Sequence, residues 1–162
     1  MGEGFKTTMN MTIGADFAVY RKETENEAFI YQIWDLAGQS YYQNVRSRFY
    51  RGAMAGICVF DVTRRESYIN LPNWIEELWN NNGIGMVPLI LLANKSDLAN
   101  SGSVKIHEVQ AYADALTTHM AHKDYRVHCL ETSASTGENV AEAFDLIGKQ
   151  VLDAVKRGAL KT

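Results

Sequence analysis

Residues 88–97 read Pro-Leu-Ile-Leu-Leu-Ala-Asn-Lys-Ser-Asp, an unbroken apolar run that stops on four polar residues. The run from Pro88 to Ala93 is shorter than a globular helix and almost wholly aliphatic, which predicts a strand covered on both faces. Strands of that kind belong to parallel sheets, whose crossover connections lay helices above and below them. In open sheets so built, ligands bind just beyond the carboxyl ends of the strands. The tetrapeptide Asn94-Lys95-Ser96-Asp97 therefore stands where a ligand would be met.

Two further runs have the same character, Gly56 to Phe60 (Gly-Ile-Cys-Val-Phe) and Arg126 to Leu130. Helical periods separate and follow them. Leu71, Trp74, Ile75 and Leu78 recur at i, i+3, i+4 and i+7, as do Val109, Tyr112, Ala113 and Leu116, then Val140, Phe144, Ile147 and Val151. These stripes are core positions and carry no chemistry. Pro72 suits the first turn of its helix, where a missing N–H costs nothing. Upstream, period-two alternation in Asp16 to Arg21 and in Phe29 to Trp34 brackets the polar stretch Lys22 to Glu27, the pattern of an antiparallel hairpin. The alternation of strands and helices specifies an α/β sandwich with a mainly parallel sheet and one antiparallel hairpin. No repeat or linker interrupts residues 1–162, so one domain is expected.

Bulk composition narrows the function. With 162 residues, 46% of them hydrophobic, the chain can bury a core of its own. A net charge of −3 offers no basic footprint for nucleic acid or for an anionic membrane surface. Cys58 and Cys129 lie inside apolar runs without metal-ligand spacing, which marks them as reduced thiols of a cytoplasmic protein. No apolar stretch reaches the length of a membrane span. Lys156 to Thr162 hold no cysteine for a prenyl anchor.

Chemistry gathers at the strand ends. A carboxylate at Asp97 can accept hydrogen bonds from the N1–H and 2-amino groups of guanine, donors that adenine does not offer there. Leaving a buried carboxylate unpaired is costly, so one such residue discriminates the two bases by several kcal/mol, of order 10⁴-fold in a dry site. Asn94 would tie the neighbouring loops together, and the stem of Lys95 would cover one face of the purine while its ammonium stays solvated. After Leu130 come Glu131-Thr132-Ser133-Ala134, a turn able to aim the Ala134 N–H at the guanine O6. After Trp34 come Asp35-Leu36-Ala37-Gly38-Gln39. Asp35 suits Mg²⁺ held through water, and Gly38 lets a backbone N–H approach a γ-phosphate. Gln39 could orient an attacking water for phosphoryl transfer. Thr12, just ahead of Ile13-Gly14-Ala15-Asp16-Phe17, places a hydroxyl where a loop could fold over Mg²⁺ and the γ-phosphate.

In order and placement, Trp34 to Gln39, Asn94 to Asp97 and Glu131 to Ala134 resemble the motifs of a Ras-superfamily small GTPase. Within that superfamily the chain is most similar to Rab proteins, through Ile13 to Phe17, Gln32-Ile33-Trp34, Phe49-Tyr50-Arg51-Gly52-Ala53 and Val59-Phe60-Asp61-Val62-Thr63. The resemblance implies a three-layer sandwich of the P-loop NTPase small G-domain type that binds GTP or GDP with Mg²⁺ and hydrolyses GTP. It implies Gln39 as the catalytic residue and Thr12 and Asp35 as the Mg²⁺ set. Gly38, Asn94, Lys95, Asp97, Ser133, Ala134 and Ser135 become the nucleotide-binding set. It also implies two switch segments, around Thr12 and from Gly38 to about Arg51, read by regulatory and effector proteins at Ile13, Phe17 and Trp34.

The sequence departs from this pattern in three places. The Gly-x-x-x-x-Gly-Lys-[Ser/Thr] loop, which cradles phosphates through its backbone N–H groups, does not occur in residues 1–162. Its nearest decoy, Gly4-Phe5-Lys6-Thr7, has Phe5 between Gly and Lys. The expectation is a chain without the family's first strand, phosphate loop and first helix, Met1 being an internal methionine of a longer protein. That strand lies centrally in the family's sheet, so its absence predicts two open strand edges. The alternative expectation is a pseudo-GTPase that serves only as a protein-interaction module. Ser135 stands where the family often has Lys, and Ser40-Tyr41-Tyr42 follow Gln39 where Rab proteins commonly have Glu-Arg-Phe, so no particular regulator or effector carries over.

Overall fold

The structure is a computed structural model that describes residues 14–23, 27–38, 46–120 and 125–160. Thr12, Ile13 and Gln39 lie outside the described residues. The chain divides into two compact units, Met1–Arg51 and Gly52–Thr162.

In the first unit, β1 (Ala15–Glu23) and β2 (Ala28–Leu36) form an antiparallel hairpin whose register runs from Ala15 opposite Leu36 to Glu23 opposite Ala28. Both arms extend beyond the alternating stretches that predict them. Backbone pairing does not need alternation to continue, and the Ala37 N–H prolongs the ladder onto the Gly14 carbonyl at 3.0 Å. Gly14 has φ +79°, a left-handed conformation that suits glycine. One face of the hairpin carries a ring cluster. Phe17 and Trp34, directly opposite in register, have centroids 4.8 Å apart, and Phe49 lies 5.0 Å beyond Trp34. On the other face Tyr20 and Tyr31 stack at 5.6 Å. The Arg46 guanidinium, nearly buried, donates to the Ala37 carbonyl at 2.9 Å and so ties the segment after β2 to its end.

In the second unit, β3 (Gly56–Asp61), β4 (Leu89–Asn94) and β5 (His128–Thr132) form a parallel sheet with β4 in the middle. Among the described residues the hairpin and the parallel strands make two separate sheets. Five consecutive residues of β4, Leu89 to Ala93, are buried, as an uninterrupted aliphatic run requires. Helix α1 (Arg65–Ile69) and α2 (Leu71–Asn81) pack on β3, whereas α3 (Ile106–His119) and α4 (Val140–Lys156) pack on β4 and β5. The mainly parallel α/β architecture matches the fold class expected of a small G domain.

The periodic stripes become the packed faces, with one shift. Leu71, Ile75 and Leu78 of α2 are buried, and so are Val109 and Ala113 of α3. In α4 the deepest positions are Ala143, Ile147, Gly148 and Ala154, while Val140, Phe144 and Val151 are half-buried. Small residues at the contact let the helix approach the sheet closely and push its larger neighbours to the flanks. The same economy governs Gly56, where a Cβ would lie 2.5 Å from Leu78 Cδ2 and 2.8 Å from Leu89 Cδ2. Helix α1 has no sequence period because its five residues make little more than one turn. Tertiary contact holds it instead: the Tyr68 hydroxyl donates to the Glu108 carbonyl at 3.1 Å, and Arg65 makes an ion pair with Glu108 at 2.6 Å.

Cys58, Leu91 and Cys129 occupy one row across the three strands. Two strand spacings, about 9.6 Å, separate the two cysteines, beyond the reach of a disulfide. Burial pushes the Cys58 thiol up to about 12. Among the described residues no helix is long and apolar enough to cross a membrane.

Candidate guanine-nucleotide site

The parallel register aligns the carboxyl ends of three strands: Asp61 pairs with Asn94, and Asn94 pairs with Thr132. Polar residues replace aliphatic ones at this level in all three. The chain then leaves β4 through Lys95, whose φ of 64° and ψ of 38° are left-handed. That conformation costs a non-glycine residue about 1 kcal/mol and is retained where surrounding bonds fix it. A short 3₁₀ turn, Ser96–Leu98, follows, closed by the Leu98 N–H on the Lys95 carbonyl at 2.9 Å. Asp97 lies exposed on this turn, and no hydrogen bond engages its carboxylate among the described residues.

Asn94 joins the two loops. Its Oδ1 accepts the Ala134 N–H at 3.1 Å and lies 3.4 Å from the Thr132 hydroxyl, which donates to it. The Ala134 N–H, which the sequence reading aims at the guanine O6, is engaged by Asn94 in this structure. The loop after β5 is itself tightly folded. Ser133 is fully buried, its N–H donates to the Glu138 carbonyl at 3.2 Å, and its carbonyl accepts the Gly137 N–H at 2.8 Å. Ser133 Oγ accepts the Thr136 N–H at 3.1 Å, which leaves Ala134 and Ser135 exposed at the tip. Gly137 (φ +82°) and Asn139 (φ +57°) turn the chain into α4. The Asn139 amide donates to the Glu131 carbonyl at 2.8 Å, and the Ser96 hydroxyl donates to Glu138 Oε2 at 3.3 Å, a second link between the loops.

Lys95 has a partner that its motif does not announce. Its ammonium pairs with Asp61 Oδ2 at 2.7 Å, the Lys95 side chain remaining 51% exposed and that of Asp61 14%. Asp61 Oδ1 accepts from the Thr63 N–H at 2.9 Å and the Thr63 hydroxyl at 2.6 Å. Burial would raise the Asp61 carboxyl, but the bonds from Lys95 and Thr63 outweigh it and hold the group below its ordinary range. Asp61, Glu138 and Asn139 are the residues that motif reasoning misses. Two sequence signals touch Asp61, its place at the polar end of an apolar run, as for Asn94, and its place in the Rab-like stretch Val59 to Thr63, but neither names its partner.

In the hairpin unit, Asp35 is exposed near the end of β2 directly opposite Asp16. Two carboxylates side by side repel one another. Among the described residues no group of three or more His, Cys, Asp or Glu side chains is placed to hold a metal ion. Gly38 is exposed just beyond β2. A cavity of about 160 Å³ lined by Tyr68, Ile69, Pro72 and Tyr112 includes none of these residues.

A sheet of parallel strands whose carboxyl ends converge on linked Asn-Lys-x-Asp and Thr-Ser-Ala loops is the architecture of a small G domain. The Ras family model matches residues 1–153. Ras-related protein Rab-13 of Rattus norvegicus is 33% identical over 150 residues, which cover 93% of this chain and 69% of that protein. The chain belongs to the Ras family and resembles its Rab members.

Proposed function

We propose that this chain is the guanine-nucleotide-binding domain of a Rab-like molecular switch, which in its intact form hydrolyses GTP to GDP. The observation that carries this reading is the Asn94 carboxamide, which holds the Ala134 N–H and so joins the loop bearing Asp97 to the loop after β5. Exposed on that rigid pair of loops, the Asp97 carboxylate accepts the N1–H and 2-amino donors of guanine. The stem of Lys95 covers the purine, and Ser133, Ala134 and Ser135 border its O6. Thr12 and Asp35 are the residues of this chain that would hold Mg²⁺, which when bound neutralises phosphate charge. Gly38 meets the γ-phosphate and Gln39 orients the attacking water. Regulatory and effector proteins read the switches, with Ile13, Phe17 and Trp34 as apolar contact surface.

Residues 1–162 hold no Gly-Lys-Ser/Thr loop, so the base-reading loops carry the recognition that this chain supplies. A titration of a fluorescent GDP analogue onto the chain, with and without Mg²⁺, tests the reading. Saturable binding is expected, with Asp97→Asn weakening it by at least about 100-fold, since an unpaired polar group at the base edge is costly. Absence of binding at micromolar concentrations would remove the nucleotide reading and leave a protein-interaction module in its place.

A further inference from the structure

The ion pair between Asp61 and Lys95 lies at the mouth of the base-reading loops, and its acidic partner is held unusually firmly. Every polar group of Asp61 is engaged. Its N–H donates to Ser67 Oγ at 3.0 Å, and its carbonyl lies 3.1 Å from the same hydroxyl, whose shortest contact is with the Arg64 carbonyl at 2.6 Å. One carboxylate oxygen takes both donors of Thr63, and the other is left for Lys95. Parallel pairing of Asp61 with Asn94 places this anchor one strand away from the residue that precedes Lys95. Lys95 in turn is bound at both ends. Its backbone is left-handed and accepts the Leu98 N–H, while its ammonium is drawn toward β3. A lysine stem with four rotatable bonds otherwise samples many rotamers, and ordering it on binding costs conformational entropy.

We infer that Asp61 is a positioning residue for nucleotide binding: by clamping the Lys95 ammonium, it pre-orders the Lys95 stem against the plane in which the purine lies. This inference rests on the guanine reading of the Asn94 to Asp97 loop. In this role Asp61 acts on the nucleotide through Lys95. It therefore sets affinity without setting base choice, which belongs to Asp97. The Rab-like stretch Val59 to Thr63 thereby gains a role at the site, since Thr63 fixes the carboxylate that fixes the lysine.

A double-mutant cycle in the full chain separates this role from a structural one. Asp61→Asn keeps an oxygen for the Thr63 donors and removes only the charge. It is expected to weaken the GDP analogue about fivefold, as loss of a partly exposed ion pair implies, with the preference for GDP over ADP unchanged. Lys95→Met, an exposed change that keeps the apolar stem, should weaken it to a similar extent. In the Lys95→Met background Asp61→Asn should then have no further effect. An unchanged affinity in Asp61→Asn, or an equal loss in both backgrounds, overturns the positioning role while the guanine reading stands. Failure of the unsubstituted chain to bind any guanine nucleotide overturns both.

Discussion

Val19 and Ile30 in the hairpin are 52% and 63% exposed, whereas Leu89, Ile90 and Leu91 in β4 are wholly buried, although all five are aliphatic residues in strands. The difference lies in what covers each strand. β4 has a neighbour on both edges and helices packed upon it, so its side chains meet close-packed apolar surface. Among the described residues β1 and β2 pair only with each other, and a two-stranded hairpin by itself buries little. Apolar side chains left at a surface mark places where another molecule gains by covering them. The parallel sheet is the part that makes stability and aligns the loops after β4 and β5; the hairpin displays Phe17 and Trp34.

The contrast can be broken most directly at its buried end. Leu91→Ala removes a wholly buried side chain from the centre of β4 and is expected to destabilise the chain by about 3 kcal/mol in urea titrations followed by circular dichroism. A cost below 1 kcal/mol would show that the centre of the sheet repacks freely and that burial there is not what holds the fold. A smaller effect is expected at the edge of the same sheet. Burial in β5 lowers the His128 pKa, and the nearby Arg126 adds to it. The folded chain therefore binds this proton less readily than the unfolded chain. The stability that His128 contributes is fully present above its ordinary value of 6.5 and is lost as pH falls through the lowered one. The urea midpoint should thus drop between pH 7.5 and pH 5.5 by more in the unsubstituted chain than in His128→Gln, and equal drops would remove His128 from the account. The smallest effect belongs to the hairpin. Val19→Thr exchanges one exposed β-branched residue for another and should shift stability by less than about 0.5 kcal/mol. A larger loss would reveal that this face is packed in solution.

The same contrast explains how much could be read in advance. β4 was legible because an apolar run of strand length, ended abruptly by Asn94, leaves few alternatives, and the helices were legible from periods of three and four residues. The hairpin was legible as pairing, but alternation does not tell how much of a strand will be covered. Helix α1 was not legible, because one turn is too short for a period and its support comes from Glu108, forty residues away. At the site, Asn94 and Asp97 stood out by spacing, and the expected tie between loops is present in the bond to Ala134. The partner of the Lys95 ammonium was not legible because a motif describes one loop at a time, and Asp61 belongs to another strand.

What sequence alone determined about this protein is therefore local: which segments are strands and helices, and which polar residues stand at strand ends. Those properties follow from run length, periodicity and the cost of burying polar groups, all readable over a few residues. Only the tertiary structure decided which strand ends meet. Parallel register brought Asp61, Asn94 and Thr132 to one level, and that alignment made partners of Lys95 and Asp61 and of Asn94 and Ala134. Hydrogen bonds and ion pairs act over about 3 Å, so no separation along the chain can announce them until the fold has closed it.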